Sequence, residues 1–295
     1  MTEPPSGALA RFAIGPQLKE YRLQASLTLK DVEEETEISA SKLSRIERGA
    51  SSIRLSDLGD LCKLYGITDE GTVLDLQGLA KATKLPSSFR SYADVVSPNF
   101  RRYIDLEEQA ATFSWYEVAN VPGLLQTPDF ARAIMATASR AGFELDDDKL
   151  ERRLQVRRKR QKILDRDAPP ALNVVLNKAV LDLEYGAPHA LAGQLEYFLD
   201  TMERPNVDIR VMPPDRVHAG LATGPFIILD FPEEATTQLP ASVYIDGHLG
   251  FNLTDRKEEV DLFRTAWDDM WHAAPSTQES ADIIGGCLRE LRRRR

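Results

Sequence analysis

Residues 38–49 have the pattern of a short helix with a marked beginning, one apolar side, one polar side and a marked end. Ser39 is placed to accept from the free backbone N–H groups of a first turn, and Gly49 supplies the left-handed residue at which helices often end. Leu43 and Ile46 stand three positions apart and therefore point the same way, towards a core. The opposite side is polar and basic, and consists of Ser41, Ser44, Arg45 and Arg48.

The polar side of this helix suits the major groove of DNA, where arginine reaches guanine O6 and N7 together and serine contacts bases or phosphates. A surface helix with solvated charges has the same pattern, and the helix alone favours that interpretation because cationic helix faces are common. The preceding residues favour the DNA-binding interpretation. Residues 27–36 predict a second short helix that begins at Thr28, and a turn of three or four residues separates the two. This is a helix-turn-helix layout, so we predict a DNA recognition helix.

The flanking residues predict the rest of a small helical bundle. Residues 18–22 begin it, and residues 55–66 close it with leucines at helical spacing. From about residue 14 to residue 67, the chain resembles the Cro/repressor-type (XRE) helix-turn-helix family, most strongly in residues 43–49. The resemblance implies a sequence-specific transcriptional regulator that binds a double-stranded DNA operator.

The same resemblance implies roles for individual residues. Base-reading positions match Ala40, Ser41 and Arg45, phosphate-contacting positions lie near Thr28 and Lys42, and a structural ion pair between the first and third helices matches Arg22 and Glu47. Together with the polar side of the helix, the predicted DNA-binding residues are Thr28, Ser39, Ala40, Ser41, Lys42, Ser44, Arg45 and Arg48.

Three positions depart from the family pattern. Leu29 stands where a DNA-contacting glutamine is usual, Glu33 replaces a small packing alanine, and Glu37 replaces the glycine of the turn. The first helix of the pair is also acidic, which opposes the phosphates of DNA. We therefore expect modest affinity from one copy, and a need for dimerisation or for a partner.

Composition limits the other classes of function. The 295 residues carry a formal net charge of −9, which argues against a general nucleic-acid coat because such binding needs many free lysines and arginines. No secretory signal and no run of about 20 apolar residues is present, so no membrane association is predicted. The two cysteines, Cys62 and Cys287, are far apart in helical patterns, which favours free thiols in a reducing cytoplasm.

Patterning divides the chain into four segments. Residues 1–13 are expected to be a flexible N-terminal arm, and residues 14–84 the helix-turn-helix domain with a bridging helix. Residues 85–99 are rich in proline and serine, which predicts a linker. Residues 100–295 are expected to form an α+β domain for regulation, dimerisation and partner binding. The predicted fold is therefore mainly α with a small sheet.

Within the second domain, periodicity predicts several helices and four strands. Helical patterns include residues 103–118 and a long charged stretch at 146–167. Short β-branched or alternating runs predict strands at 171–176, 207–212, 226–231 and 243–246. Helical stretches lie between the first two strands and after the last one. We expect a small sheet covered by helices.

Residues 121–132 carry a second resemblance. Pro122 and Gly123 signal a turn, Thr127 is placed as a helix cap, and Pro128 occupies the tolerated first position of a helix. With residues 107–115 before it and later landmarks in the same order, the segment resembles the domain behind the helix-turn-helix of WhiJ-like actinobacterial regulators. This resemblance spans nearly the whole chain, and it implies a protein partner, a small BldB-like protein.

The basic stretch at residues 152–166 has more than one interpretation. Leu154 and Ile163 recur among its arginines and lysines, so one stripe of a helix can pack. A nucleic-acid contact would use the charges. A solvated helix or an acidic protein partner explains them at least as well, because acidic residues at 146–148 and Glu151 flank the run.

Two other functions stay open, an enzyme that carries a DNA-binding head and a sensor of a small ligand. No metal, other cofactor or catalytic residue is predicted, because the histidines stand singly and no nucleophile elbow or phosphate loop is present. These histidines are His189, His218, His248 and His272. A ligand cleft could be lined by aromatic residues, although core packing is the default for them. The aromatic residues concerned are Trp115, Tyr116, Phe130, Trp267 and Trp271.

Overall fold

The computed structural model describes residues 7–85, 87–139, 146–184, 188–232, 239–247 and 250–294. These residues divide into two compact units. The first is the described part of Met1–Ser91 together with Ile104–Leu106 and Phe231–Pro240. The second consists of the described parts of Tyr92–Tyr103, Glu107–Asp230 and Ala241–Arg295.

The described part of the first unit is an all-α bundle. Its helices are α1 (Gly7–Gln24), α2 (Leu29–Glu35), α3 (Ala40–Glu47), α4 (Leu55–Leu64) and α5 (Glu70–Ala82). Their apolar sides meet in one core, and the side chains that are almost fully buried there include Leu18, Val32, Ile38, Leu43, Ile46, Leu58 and Leu61. The predicted helical bundle is confirmed.

The predicted helix ends of α2 and α3 are also confirmed. The Thr28 side chain accepts from the Asp31 backbone N–H, and Asp31 accepts from the Thr28 N–H in return, which forms a capping box. Ser39 caps α3 by accepting from the Lys42 N–H at 3.2 Å. Gly49 follows α3 with φ of 65°, a left-handed conformation that favours glycine.

The predicted N-terminal arm is wrong for residues 7–13, because α1 already begins at Gly7. The apolar side chains of this segment are buried, and they are Leu9, Ala10, Phe12 and Ala13. Their burial offsets the entropy cost of ordering the segment. The prolines and the glycine near the N-terminus favour a loose arm, and they give no sign of this burial. Residues 1–6 lie outside the described residues.

Helix α1 passes very close to the end of α3 at Gly15. A Cβ atom on Gly15 would lie 2.6 Å from the carbonyl oxygen of Ile46 and 2.7 Å from that of Glu47. Both neighbours are backbone atoms, so neither can move aside as a flexible side chain would. The absence of a side chain at residue 15 therefore sets the packing distance between the two helices.

We expect Gly15→Ala to destabilise the first unit by about 1–3 kcal/mol, because the added methyl group forces α1 away from α3. Amide hydrogen exchange in α1 and α3 measures the loss. Gly59→Ala in α4 is the matched control, since a Cβ atom there meets nothing within 4 Å. The control should stabilise the unit by about 0.5–1 kcal/mol through helix propensity. Equal exchange in both variants would contradict the close approach.

The second unit is built on a mixed sheet of six strands in its described residues. The strands are β1 (Thr112–Glu117), β2 (Ala171–Asn177), β3 (Val207–Met212), β4 (Phe226–Asp230), β5 (Ser242–Gly247) and β6 (Gly250–Thr254). Their order is β3-β2-β1-β4-β5-β6, with β1 parallel to β2, β2 parallel to β3, and antiparallel pairing from β1 through β4 and β5 to β6.

Helices accompany this sheet along the chain. They are α6 (Pro98–Glu107), α7 (Pro128–Ser139), α8 (Asp147–Gln161), α9 (Pro188–Thr201), α10 (Gly220–Thr223), α11 (Lys257–Ala273) and α12 (Thr277–Arg293). Helix α12 also closes one sheet edge, because the Ser280 hydroxyl accepts from the Val211 N–H of β3 at 2.9 Å. The predicted α+β class with a small sheet is confirmed, as are the four predicted strands.

The helix predicted over residues 103–118 is wrong in its second half. Helix α6 ends at Glu107, and Thr112–Glu117 forms β1, a central strand of the sheet. The residues from Phe113 to Tyr116 are buried consecutively, so they do not alternate as a half-exposed strand would. Periodicity cannot distinguish such a short buried strand from a buried helix. Strand β6 was not predicted either.

Most of the aromatic residues considered for a ligand cleft are buried. Trp115, Tyr116, Phe130 and Trp267 are buried, which agrees with core packing. Phe89, inside the predicted linker at 85–99, is fully buried as well, and a short 3-10 helix follows it at Arg90–Tyr92. No helix within the described ranges is long and apolar enough to cross a membrane.

Candidate nucleic-acid interface

The turn between α2 and α3 is held by its own side chains. The Thr36 hydroxyl donates to the Val32 carbonyl at 2.7 Å and accepts from the Ile38 N–H at 3.2 Å. Ile38 is 1% exposed and anchors the turn in the core. Glu37 occupies the turn without a positive φ, so glycine is not required at this position. These contacts hold the turn between α2 and α3 in place.

Helix α3 has one buried side and one exposed side. Leu43 and Ile46 are both completely buried, whereas Ser41, Arg45 and Arg48 are exposed. Three more predicted residues are half-buried at the border of the exposed side, and they are Ala40, Lys42 and Ser44. Thr28 and Ser39 are exposed at the beginnings of α2 and α3. The structure thus places the predicted DNA-binding residues on α3, at its C-cap Arg48, or at these two helix N-termini.

Several of these side chains have partners within the first unit. The Lys42 Nζ lies 2.6 Å from an Asp57 carboxylate oxygen, and Arg48 Nε donates to the Ser44 carbonyl at 3.1 Å. The hydroxyls of Thr28 and Ser39 accept cap hydrogen bonds, and each keeps its own hydrogen for a further acceptor. Arg45 is the exposed cation of α3 for which no partner occurs among the described residues.

Asp57 is a residue that the sequence interpretation missed. It lies in the first turn of α4 and holds Lys42 beside the beginning of α3. No sequence signal connects the two residues, because they are 15 positions apart on different helices. The pair reduces the positive charge that Lys42 presents to a phosphate.

Arg22 and Glu47 are in contact, as the family resemblance implies. Arg22 Nε donates to Glu47 Oε1 at 2.6 Å and the terminal NH2 donates to Oε2 at 2.9 Å. A third bond runs from Arg22 to the Leu27 carbonyl at 2.7 Å. Both side chains are buried, and the bond to Glu47 raises the pKa of Arg22. The pair joins the ends of α1 and α3 to the loop that precedes α2.

Acidic residues limit the basic surface of the first unit. Exposed carboxylates cover α2 and the turn, and they are Glu33, Glu34, Glu35 and Glu37. Three of them also line a groove with Asp60 and Lys63. These carboxylates oppose a phosphate backbone, which leaves α3 and the two helix N-termini beside it as the candidate surface for DNA.

The basic stretch at 152–166 uses much of its charge inside the second unit. Arg152 forms two bonds of 2.7 Å with Asp94, and Arg160 forms two with Glu107. Arg166 donates to the Glu108 carbonyl at 2.6 Å. These contacts are those of a packed helix, and they leave fewer cations for a nucleic acid.

The histidines do not gather around a common point in the part of the chain that is described. His218 is buried, and burial lowers its pKa, which favours the neutral ring. No three metal-ligating side chains cluster within the described ranges. His248 lies outside them.

Two capped helices joined by a hydrogen-bonded turn, with an exposed basic face on the second, define a DNA-binding domain of the helix-turn-helix class. The family model described as a helix-turn-helix domain matches residues 13–73. A second model, described as a domain of unknown function (DUF5753), matches residues 100–286. Because that match covers more than half of the chain, the protein belongs to the DUF5753 family. No curated protein and no solved structure matches the chain.

Proposed function

We propose that this protein is a sequence-specific transcriptional regulator that reads its operator with α3. The observation that carries the proposal is the separation of the two sides of this helix, with Leu43 and Ile46 in the core and Arg45 exposed beside Ser41. Arg45 has the length and the donors for bidentate contact with guanine. The short neighbours Ala40 and Ser41 allow the helix to approach the base edges closely.

Replacing Arg45 with alanine should weaken operator binding by about 1–3 kcal/mol and relax sequence discrimination, because a base contact is lost. The operator is first obtained by selecting binding sequences from a random DNA pool with the full chain. Binding is then compared between that operator and a scrambled duplex at one salt concentration. Unchanged discrimination in Arg45→Ala would sink the assignment.

Lys63→Ala is the matched control for this experiment. Lys63 is an exposed cation of the same unit, but it lines the acidic groove with Glu34 and Glu37. Its removal changes the net charge by the same amount without touching α3. Operator discrimination should stay that of the parent protein, and a loss equal to that of Arg45→Ala would show that only total charge matters.

We further propose that the second unit dimerises the protein and binds a small BldB-like protein, with no catalytic role. One helix-turn-helix domain has only a narrow basic surface, so one copy should bind DNA weakly. In a dimer the second domain binds intramolecularly, which raises the affinity for the operator. Large apolar side chains exposed on the second unit are candidates for an interface, since two of them stand on α10 and α11, which contact each other. These side chains are Val217 at 88%, Leu221 at 65% and Leu262 at 70% exposure. The protein partner is the one implied by the resemblance to WhiJ-like regulators.

The triple variant Val217→Ser, Leu221→Ser, Leu262→Ser should shift the full chain from dimer to monomer in sedimentation experiments. Its operator affinity should fall and its salt dependence should become shallower, because fewer phosphates are contacted. The selected operator should be a near-palindrome with half-sites about one helical turn, or a multiple of it, apart. Leu74→Ser is the control, since Leu74 is 66% exposed in the first unit. A parent protein that is monomeric on its operator would contradict dimerisation.

A further inference from the structure

The segment from Val121 to Gln126 is a buried loop whose backbone is held by glutamine side chains. Gln194, completely buried on α9, donates to the Leu125 carbonyl at 2.7 Å and accepts from the Thr127 N–H at 2.8 Å. Gln161 on α8 donates to the Gln126 carbonyl at 2.7 Å. These hydrogen bonds hold the backbone of the loop that connects β1 to α7.

Two arginines of α8 converge on this loop at Gly123. A Cβ atom there would lie 2.9 Å from the NH1 atom of Arg157 and 3.2 Å from the NH1 atom of Arg160. Glycine is therefore the residue that lets both guanidinium groups approach the loop backbone. The arrangement concentrates positive charge at one place in the second unit.

The two cations differ in how their charge is balanced. Arg160 is paired with Glu107 through two bonds of 2.7 Å, and Tyr103 also donates to this carboxylate. Arg157 donates to the neutral side chain of Gln126 at 2.5 Å, and no carboxylate lies within ion-pair distance of it in the described part of the chain. Burial, together with the charge of Arg160, lowers the pKa of Arg157. Since arginine keeps its proton in proteins, Arg157 is a cation that donates to a neutral amide, while the carboxylate of Glu107 is bound by Arg160.

A cavity of about 240 Å³ lies beside both arginines. Aromatic and apolar side chains form most of its other walls, including Phe100, Tyr103, Trp115, Ile134, Phe226 and Tyr244. Tyr103 and Tyr244 stack with ring centroids 4.0 Å apart. Such walls accept a flat apolar body, while the arginines supply the few polar contacts that orient a ligand.

We propose that this cavity binds a small, flat organic carboxylate whose anionic group contacts Arg157. The volume limits the ligand to roughly ten non-hydrogen atoms, because an engineered cavity of about 150 Å³ holds benzene. Because Arg157 donates within the site to a neutral amide, its remaining donors can take one anionic group. Glu117, which also lines the cavity and accepts from the Trp115 indole N–H at 3.1 Å, disfavours a second negative charge. This binding site goes beyond the proposed function and does not depend on it.

The test compares benzoate with benzamide, which has nearly the same shape and no charge, by calorimetric titration of the full chain. We expect benzoate to bind about tenfold more tightly or better, because its carboxylate forms an ion pair with the guanidinium group whereas the benzamide carbonyl is uncharged. Arg157→Gln should abolish this difference and Arg157→Lys should retain part of it. Arg158→Gln, which removes an exposed cation one residue away on α8, should leave it intact.

Each outcome bears on the proposal. Equal binding of benzoate and benzamide to the parent protein, or no binding of either, would overturn it without any variant. A preference for benzoate that persists in Arg157→Gln would also overturn it, because the charge would then be bound elsewhere. If Arg157→Gln does not fold, the parent comparison together with Arg157→Lys and Arg158→Gln still decides the result. Binding of phthalate as tightly as benzoate would refute the limit of one charge.

Discussion

Replacing Glu107 with leucine should destabilise the second unit by about 3–5 kcal/mol. Glu107 is 1% exposed and binds Arg160 through both carboxylate oxygens. Its loss leaves Arg160, which is 3% exposed, as a buried cation without a partner. The hydroxyl of Tyr103 loses its acceptor at the same time.

Tryptophan fluorescence during urea unfolding measures this loss, because Trp115, Trp267 and Trp271 are the three tryptophans of the chain and all lie in the second unit. The double variant Glu107→Leu, Arg160→Leu should recover much of the stability, since the uncompensated charge is gone. Glu151→Leu is the matched control. Glu151 forms exposed ion pairs with Arg132 and Arg158, so its removal should cost under about 1 kcal/mol. Equal losses for Glu107 and Glu151 would contradict the importance of burial.

The parts of the fold that sequence predicted well are those with local signals. Thr28, Ser39 and Gly49 mark the ends of α2 and α3 through caps and a left-handed residue, and each depends only on neighbours within a few positions. The sides of α3 follow from the spacing of Leu43 and Ile46 in the same way. Signals that depend only on neighbouring residues can be recognised in a single sequence, so the exposed face of α3 could be predicted residue by residue.

The parts that sequence did not predict depend on contacts between distant residues. Strand β1 is buried on consecutive positions because it lies between β2 and β4, so Phe113 and Trp115 carry no alternation that would identify a strand. Glu107 and Arg160 are 53 positions apart, and Lys42 and Asp57 are 15 apart. The cavity beside Arg157 is likewise formed by side chains from several helices and strands, and no local pattern encodes that juxtaposition.

The ion pair in the first unit connects stability to the position of α3. Glu47 is the last residue of α3, and Arg22 fixes it to α1 and to the loop at Leu27. Because Gly15 already brings α1 against the carbonyls of Ile46 and Glu47, the pair and the close approach act on the same end of the helix. A substitution in the Arg22–Glu47 pair or at Gly15 should therefore alter the orientation of the exposed face that carries Arg45.

Replacing Arg22 with leucine should destabilise the first unit by about 3–5 kcal/mol, because Glu47 is left as a buried charge without a partner. Amide hydrogen exchange in α3 measures the effect, and operator binding should weaken in parallel as folded α3 becomes less populated. Glu47→Leu alone should cost a similar amount. The double variant should be clearly more stable than the sum of the two losses implies, which gives a large coupling energy. The exposed pair Lys30 and Glu34, 3.4 Å apart on α2, is the control. Its coupling energy should be about 0.5 kcal/mol. A coupling between Arg22 and Glu47 no larger than that of the control would show that the buried pair does not fix α3.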